Sequence, residues 1–381
     1  MHFVASKKDL LRILNRCQGV ADKKSTMPVL SNVLLEAKDG NVQLSATDLY
    51  VAVRGWVKAD VEQPGSIAVG ARDLFERVKM MPEGQVSIST SEASATTIRA
   101  VGSARRYTLH GIPGDDFPKL PSPDDSAPSM SLPISTLHEL IQRTAFSIST
   151  DETRLHLNSA LFEWEGEHVR MVTTDGHRLS KMEVHVPGKK ATATMLIPNK
   201  GIQELKRLCE EALTEKAEQG TSGAELTMTQ SGPSAYFTLG GFQFSVKLVD
   251  AQFPPYQRVI PEQTERAIHA SKSSVQDALN AVSVAASDRT GGVKLTITED
   301  KIRFESESPE SGVGFDEIAV DYRGAEVTVG FNARYFIDVL KAIDDEEVIL
   351  GISGELDPAV VRPAHEDASK NHVAVIMPMR I

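Results

Sequence analysis

The sequence predicts an α+β chain of three similar domains, each with two helices and antiparallel sheets. Three observations carry that prediction: an ungapped internal repeat, helical patterns flanking each copy, and proline-bearing stretches closing the first two copies. The length of 381 residues also exceeds what one compact core organises.

The repeat is a hairpin. NVLLEAKDGNVQLSATD (Asn32 to Asp48) aligns without gaps on SALFEWEGEHVRMVTTD (Ser159 to Asp175) and on GVKLTITEDKIRFESES (Gly292 to Ser308). Val42 meets Val169 and Ile302, and Leu44 meets Met171 and Phe304. Each copy alternates apolar and polar residues, breaks at a polar turn and alternates again, the pattern of a β-hairpin. The turns fall at Lys38-Asp39-Gly40, Glu165-Gly166-Glu167 and Glu299-Asp300.

Helical spacing precedes each hairpin: Leu10, Leu14 and Cys17, then Leu137, Leu140 and Ile141, then Val275, Leu279 and Val282. A second helical pattern follows each hairpin, over 72–80, 199–209 and 333–343. Short strands come next, clearest where Phe242, Phe244, Val246 and Leu248 alternate with polar residues. DDFPKLP (Asp115 to Pro121) and AQFPPYQRVIP (Ala251 to Pro261) read as extended linkers. The third copy ends in a strand, HVAVIMPMRI, after an exposed loop expected over 355–371. The predicted domains are 1–126, 127–265 and 266–381.

Charge is unevenly spread. The chain has 41 Lys and Arg against 52 Asp and Glu, a formal net charge of −11. The six predicted helices (6–17, 72–80, 135–144, 199–209, 272–286, 333–343) carry +7, leaving −18 on the remainder. Lys8, Arg12 and Arg16 fall one turn apart, opposite Leu10 and Leu14. A basic surface shared by the helices, within an acidic body, is the expectation.

Other classes find little support. Cys17 and Cys209 sit in apolar helical patterns and read as buried thiols of a reduced protein. The start MHFVASKKDLLRIL has no apolar signal core, and no run approaches the roughly 20 apolar residues of a membrane span. A soluble, cytoplasmic protein without a membrane partner is expected. Thr174-Asp175-Gly176-His177-Arg178 admits a hydrolytic reading in which Asp175 orients His177 as a general base. Asp48 occupies the same hairpin end with no histidine beside it, so a turn role explains both aspartates. No nucleotide, metal or nucleophile-elbow motif is present, so no catalytic residue, metal ligand or cofactor is assigned. A small-molecule-binding reading also lacks a motif.

TTDGHRLS (Thr173 to Ser180), KLVDAQFPPYQRVIP (Lys247 to Pro261) and VIMPMRI (Val375 to Ile381) carry a resemblance. STMPVLSNVLL (Ser25 to Leu35), DDFP (Asp115 to Pro118) and GFNARYFIDVL (Gly330 to Leu340) support it. From Met1 to Ile381 the chain resembles the β-subunit family of bacterial DNA polymerase III, the replication sliding clamps. The resemblance implies the DNA clamp fold and a head-to-tail homodimer, a six-domain ring with helices around duplex DNA and sheets outside. It implies a processivity factor of a DNA-directed DNA polymerase, not an enzyme, that holds DNA without reading sequence. The implied protein partners are the DNA polymerase III alpha subunit, the clamp loader delta subunit, and other polymerases and mismatch-repair proteins that carry linear peptide motifs.

Sites follow from the resemblance by position. Tyr107 and Leu109 would face Val284, Ala285 and Ala286 of the partner, where family members often carry bulkier apolar residues; a dimer that dissociates more readily is expected. Lys24 matches a basic residue of an inner-face loop, and Lys23, Arg72, Arg77, Lys200 and Arg207 are further DNA-facing candidates. The partner-peptide pocket would comprise Leu157, Thr174, Gly176, His177, Arg178, Leu179, Pro254, Arg258, Val259, Val375, Met377, Pro378, Met379 and Arg380. In it Leu179, Pro254, Val259, Val375 and Met377 form an apolar hollow whose thioether adapts to different guests. Arg178, Arg258 and Arg380 would orient polar peptide groups.

Overall fold

A computed structural model describes residues 1–21, 25–91, 94–218, 224–287, 290–365 and 367–380. One element order occurs three times. The first copy runs β1 (His2–Ser6), α1 (Lys7–Val20), β2 (Asn32–Lys38), β3 (Asn41–Thr47), β4 (Val51–Gln63), β5 (Gly65–Gly70), α2 (Ala71–Lys79), β6 (Gln85–Thr90), β7 (Ala95–Ala100) and β8 (Arg106–Pro113). The second runs β9 (Ser129–Pro133), α3 (Ile134–Thr144), β10 (Ser159–Gly166), β11 (His168–Thr174), β12 (Arg178–His185), β13 (Ala191–Pro198), α4 (Asn199–Glu218), β14 (Glu225–Ser231), β15 (Ser234–Leu239) and β16 (Phe242–Lys247). The third runs β17 (Arg266–Ser271), α5 (Lys272–Ser283), β18 (Gly292–Thr298), β19 (Lys301–Ser308), β20 (Gly312–Ala319), β21 (Val327–Asn332), α6 (Ala333–Ala342), β22 (Glu347–Ile352), β23 (Ala359–Pro363) and β24 (Lys370–Ile376).

The aligned stretches are hairpins with two-residue loops: Lys38 pairs with Asn41, Glu165 with His168, and Thr298 with Lys301. Such loops need positive φ, which Asp39 and Gly40, Gly166, and Asp300 supply. Short polar side chains cap the starts of α1, α5 and α6. Ser6, Ser271 and Asn332 accept from the backbone N–H of Asp9, Ser274 and Arg334.

The chain packs as two compact units, Met1–Ile134 with Glu211–Leu248 and Ser135–Glu210 with Val249–Ile381. The first holds a twelve-stranded sheet ordered β1-β6-β7-β8-β5-β2-β3-β4-β16-β15-β14-β9. The second holds an eight-stranded sheet, β13-β10-β11-β12-β24-β23-β22-β17, and a four-stranded one, β20-β19-β18-β21. All the strand pairings are antiparallel among the described residues. Copies join edge to edge: β4 pairs with β16, and β12 with β24. In the second unit Val275, Leu279 and Val282 of α5 pack with Phe336 and Leu340 of α6 over Leu295, Ile302 and Phe304. Each such burial contributes roughly 1.5–3 kcal/mol.

The structure corrects several expectations. α4 runs on to Glu218, because Ala212 stays buried and continues the apolar stripe past Glu210 and Glu211. As folded, the six helices therefore carry +4 rather than +7, leaving −15 elsewhere. Segment 355–371 contains β23, whose Ala359, Val360 and Val361 are buried. Arg16 is not part of an exposed basic face. Its guanidinium lies 4.7 Å from the Phe242 ring centroid and its Nε meets Glu211 at 3.0 Å, within the first unit. The two proline linkers each anchor an aromatic residue in a buried cluster, Phe117 beside Leu34 and Tyr256 beside Leu161. Both cysteines are buried as expected, and burial pushes the Cys209 thiol up to about 12. No described helix is long and apolar enough to cross a membrane.

Candidate functional site

Most of the predicted pocket residues gather in the second unit, around the turn that joins β11 to β12. Gly176 takes φ +93°, a conformation that favours glycine. Asp175 Oδ1 accepts from the N–H groups of His177 (2.9 Å) and Arg178 (3.0 Å). Thr174 Oγ1 donates to the Arg178 carbonyl at 2.6 Å and accepts from the Gly176 N–H. Asp48 repeats the device, accepting from the N–H groups of Tyr50 and Val51. The turn role of both aspartates holds, and the hydrolytic reading fails. Asp175 is engaged by backbone and by Arg178, while His177 is exposed and stacks on Tyr335 at 6.3 Å.

The floor is apolar. Leu179 sits opposite Val375 in the β12–β24 ladder, and both join Leu161, Val172, Leu196 and Tyr256 in one buried cluster. Val249, Phe253 and Ile260 pack against it. Leu157 is buried and Pro254 half-buried, while Val259 and Met377 are each 39% exposed. The Met377 N–H donates to the His177 carbonyl at 2.9 Å, and the Met379 N–H to Gly330 at 2.8 Å. Pro378 and Met379 are half-buried; Arg258 and Arg380 are exposed. Tyr256 donates to Glu163 at 2.8 Å, and burial raises its phenol above the ordinary value.

Arg178 is held by the protein's own groups. Its Nε meets Asp175 at 3.0 Å, its Nη1 meets Asp338 at 2.7 Å and its Nη2 donates to the Phe146 carbonyl at 2.6 Å. The guanidinium also lies over the rings of Tyr335 (4.7 Å) and Phe146 (5.5 Å). It braces the turn against α6, with three of its five N–H donors engaged there. Tyr335, Phe146 and Phe253 border the same turn or cluster and were not singled out from sequence. Phe253 lies inside the proline linker and Tyr335 inside GFNARYFIDVL, whereas Phe146 follows α3 without a signal of its own.

The other candidates are scattered. Lys23 and Lys24 lie outside the described residues. Arg72 and Lys200 are exposed in the first turns of α2 and α4. Arg77 is paired with Asp73 (2.8 Å) and Arg207 with Glu204 (2.8 Å). Tyr107 and Leu109 are half-buried on β8. Val284 is 79% exposed, but Ala285 and Ala286 are buried. Their segment turns inward because the end of α5 packs on β20, with Ala285 against Gly314. Among the described residues no cluster of three or more His, Cys, Asp or Glu could hold a metal ion.

Comparison with known proteins covers the whole chain. Residues 1–121, 131–255 and 257–380 match the N-terminal, central and C-terminal domains of the DNA polymerase III beta subunit family. The chain is 33% identical over 384 residues to the beta sliding clamp of Pseudomonas aeruginosa and 31% identical to that of Escherichia coli K12, covering 100% of each chain. It also resembles the crystal structure of the P. aeruginosa DNA polymerase III subunit beta, with a TM-score of 0.91 at 31% identity and full coverage of both chains.

Proposed function

This chain belongs to the DNA polymerase III beta subunit family, and from that membership we propose how its own residues close a ring, hold DNA and receive partners. Its function is that of a DNA sliding clamp, a processivity factor rather than an enzyme.

One observation carries the closure. β4, β12 and β20 are the third strands of the three hairpin-led sheets, and β8, β16 and β24 are the last strands of the three copies. Within the chain the first kind pairs with the second kind of the next copy, β4 with β16 and β12 with β24. Among the described residues β20 pairs only with β19, and residues 106–110 of β8 only with β7. The rule that joins the copies therefore assigns β20 of one chain to β8 of another. Val313 (73% exposed) and Phe315 (62%) supply an apolar surface on β20, next to Val284, for Tyr107 and Leu109. The contact is heterologous, so two chains close head to tail. The domains joined this way are 1–126, 127–265 and 266–381.

In that homodimer the helices face duplex DNA. Lys24 and Lys23 are the leading phosphate contacts, with Arg72 and Lys200 behind them and Arg77 and Arg207 weakened by their carboxylate partners. Diffuse phosphate contacts suit sliding, since they carry no sequence information. The acidic remainder repels DNA elsewhere. The apolar floor around Leu179 and Val375, rimmed by Val259 and Met377, takes short linear peptides of the polymerase alpha subunit, the clamp loader delta subunit, other polymerases and mismatch-repair proteins. The protein works in the cytoplasm.

Sedimentation equilibrium tests the closure. The chain should sediment as a dimer, and Phe315→Glu should give a folded monomer. A Phe315→Glu dimer as tight as the unaltered one would refute the β8–β20 assignment.

A further inference from the structure

We propose that β17 offers a second docking edge, a slot that takes an extended, carboxylate-bearing segment of a partner protein as one added antiparallel strand. The slot lies wholly in the second unit. It is a groove of about 510 Å³ between β17 and the turn at 321–325.

The repeat explains why the groove exists. In the first copy the outer edge of β1 is covered by the far end of β4: Val4 lies opposite Asp60, Phe3 opposite Val61 and His2 opposite Gln63. In the third copy the corresponding segments are β17 and the residues after β20. One rung forms, with the His269 N–H on the Asp321 carbonyl (3.1 Å) and the Asp321 N–H on the His269 carbonyl (2.9 Å). The chain then leaves. The Tyr322 carbonyl is taken by the N–H of Asp300 (3.0 Å), and the Tyr322 hydroxyl donates to the Ala325 carbonyl (2.8 Å). A Cβ on Gly324 would collide with that hydroxyl, so a larger residue here would displace the Tyr322 ring from its bond. The turn is a built wall that holds the chain off β17 and leaves the rest of the edge uncovered.

The uncovered edge has a free backbone. N–H and C=O groups alternate along an antiparallel strand. His269 directs both of its groups outward to Asp321, so Ala267, two residues back, directs both of its own outward as well. Ala267 is exposed, and outside the β17–β22 ladder no described residue bonds its backbone. Unpaired edge groups of this kind template an added strand.

Charge selects the occupant. The side chains of Arg323 and His269 have no carboxylate partner among the described residues, whereas Glu265 is already paired with Arg266 at 3.0 Å. Asp321, the other acid of the groove, makes no ion pair with either. In the first copy the covering strand brings a carboxylate to the counterpart of Ala267, Glu62 on His2 Nδ1 at 2.8 Å. The slot is independent of the pocket at Met377.

The probe is a capped peptide with the sequence of residues 57–63, VKADVEQ, the strand that fills the equivalent edge. Titration calorimetry and amide hydrogen exchange on the full chain should show saturable binding that slows exchange at Ala267. Ala267→Pro removes only an outward N–H, a change edge strands tolerate. It and Arg323→Glu should each weaken binding by at least about tenfold. A peptide N-methylated at the residue corresponding to Gln63, which faces the counterpart of Ala267, should do the same on the unaltered protein, so the result stands even if Ala267→Pro does not fold. Met377→Ala should leave the affinity unchanged. No saturable binding up to about 1 mM, protection elsewhere than Ala267, or full affinity for the N-methylated peptide would overturn the proposal.

Discussion

Replacing Arg178 by methionine keeps the apolar stem and removes the guanidinium, and the structure gives the cost. The side chain is 10% exposed, and its partners Asp175 and Asp338 are 16% and 25% exposed. Breaking a buried pair by removing one member costs about 3–5 kcal/mol. The partial exposure of both carboxylates lets water return to them, which places Arg178→Met near the lower end, about 3 kcal/mol. Asp338→Asn leaves the Asp175 contact and both rings in place, and should lose about 1.5 kcal/mol, one charge-assisted bond. The double variant should lose less than the sum by about 1 kcal/mol, because the two share a contact. The assay is urea unfolding followed by Trp164, which is buried in the second unit, in a Trp56→Phe background that silences the other tryptophan. A loss below about 1 kcal/mol for Arg178→Met, or strict additivity, would refute the bracing role. A variant of unchanged stability that binds partner peptides poorly would return Arg178 to the rim of the pocket.

Burial lowers the His372 pKa to about 3, the nearby Arg143 charge adding to the effect. The unfolded chain therefore takes up a proton below about pH 6.5 that the folded chain refuses, and stability falls as pH falls, by about 1.4 kcal/mol per pH unit. Between pH 6.5 and 5 the unaltered protein should lose about 2 kcal/mol more than His372→Gln, measured by urea unfolding; equal losses would contradict this. Met377→Ala removes a 39%-exposed rim of the apolar hollow. It should weaken a polymerase-derived peptide by about tenfold in fluorescence anisotropy without changing sedimentation, and unchanged affinity would count against the pocket.

Period and repetition made the fold legible. Hairpins at three aligned places, each with a two-residue loop, follow from alternation and from Gly40, Gly166 and Asp300. What stayed hidden depends on partners remote in sequence. Arg16 lies on the helix face that its spacing marks as exposed, yet Phe242 and Glu211 from another copy bury it. Arg178 reads as a peptide-orienting cation, and Asp338 and Tyr335, over 150 residues away, also make it a brace. Ala285 and Ala286 were placed at an interface by position, but Gly314 on β20 lets the end of α5 sink onto the sheet. The turn role of Asp175 was readable because Asp48 supplies an internal control with the same bonds and no histidine.

The central claim is that this chain holds DNA by encircling it. The most direct measurement loads the protein on nicked circular duplex with a clamp loader, removes free protein by gel filtration, and then linearises half of the sample. A ring should stay on the circle, resistant to salt that strips simple phosphate contacts, and leave the linear DNA within the time of the column. Equal retention on circular and linear DNA, or release from the circle as salt rises, would contradict it.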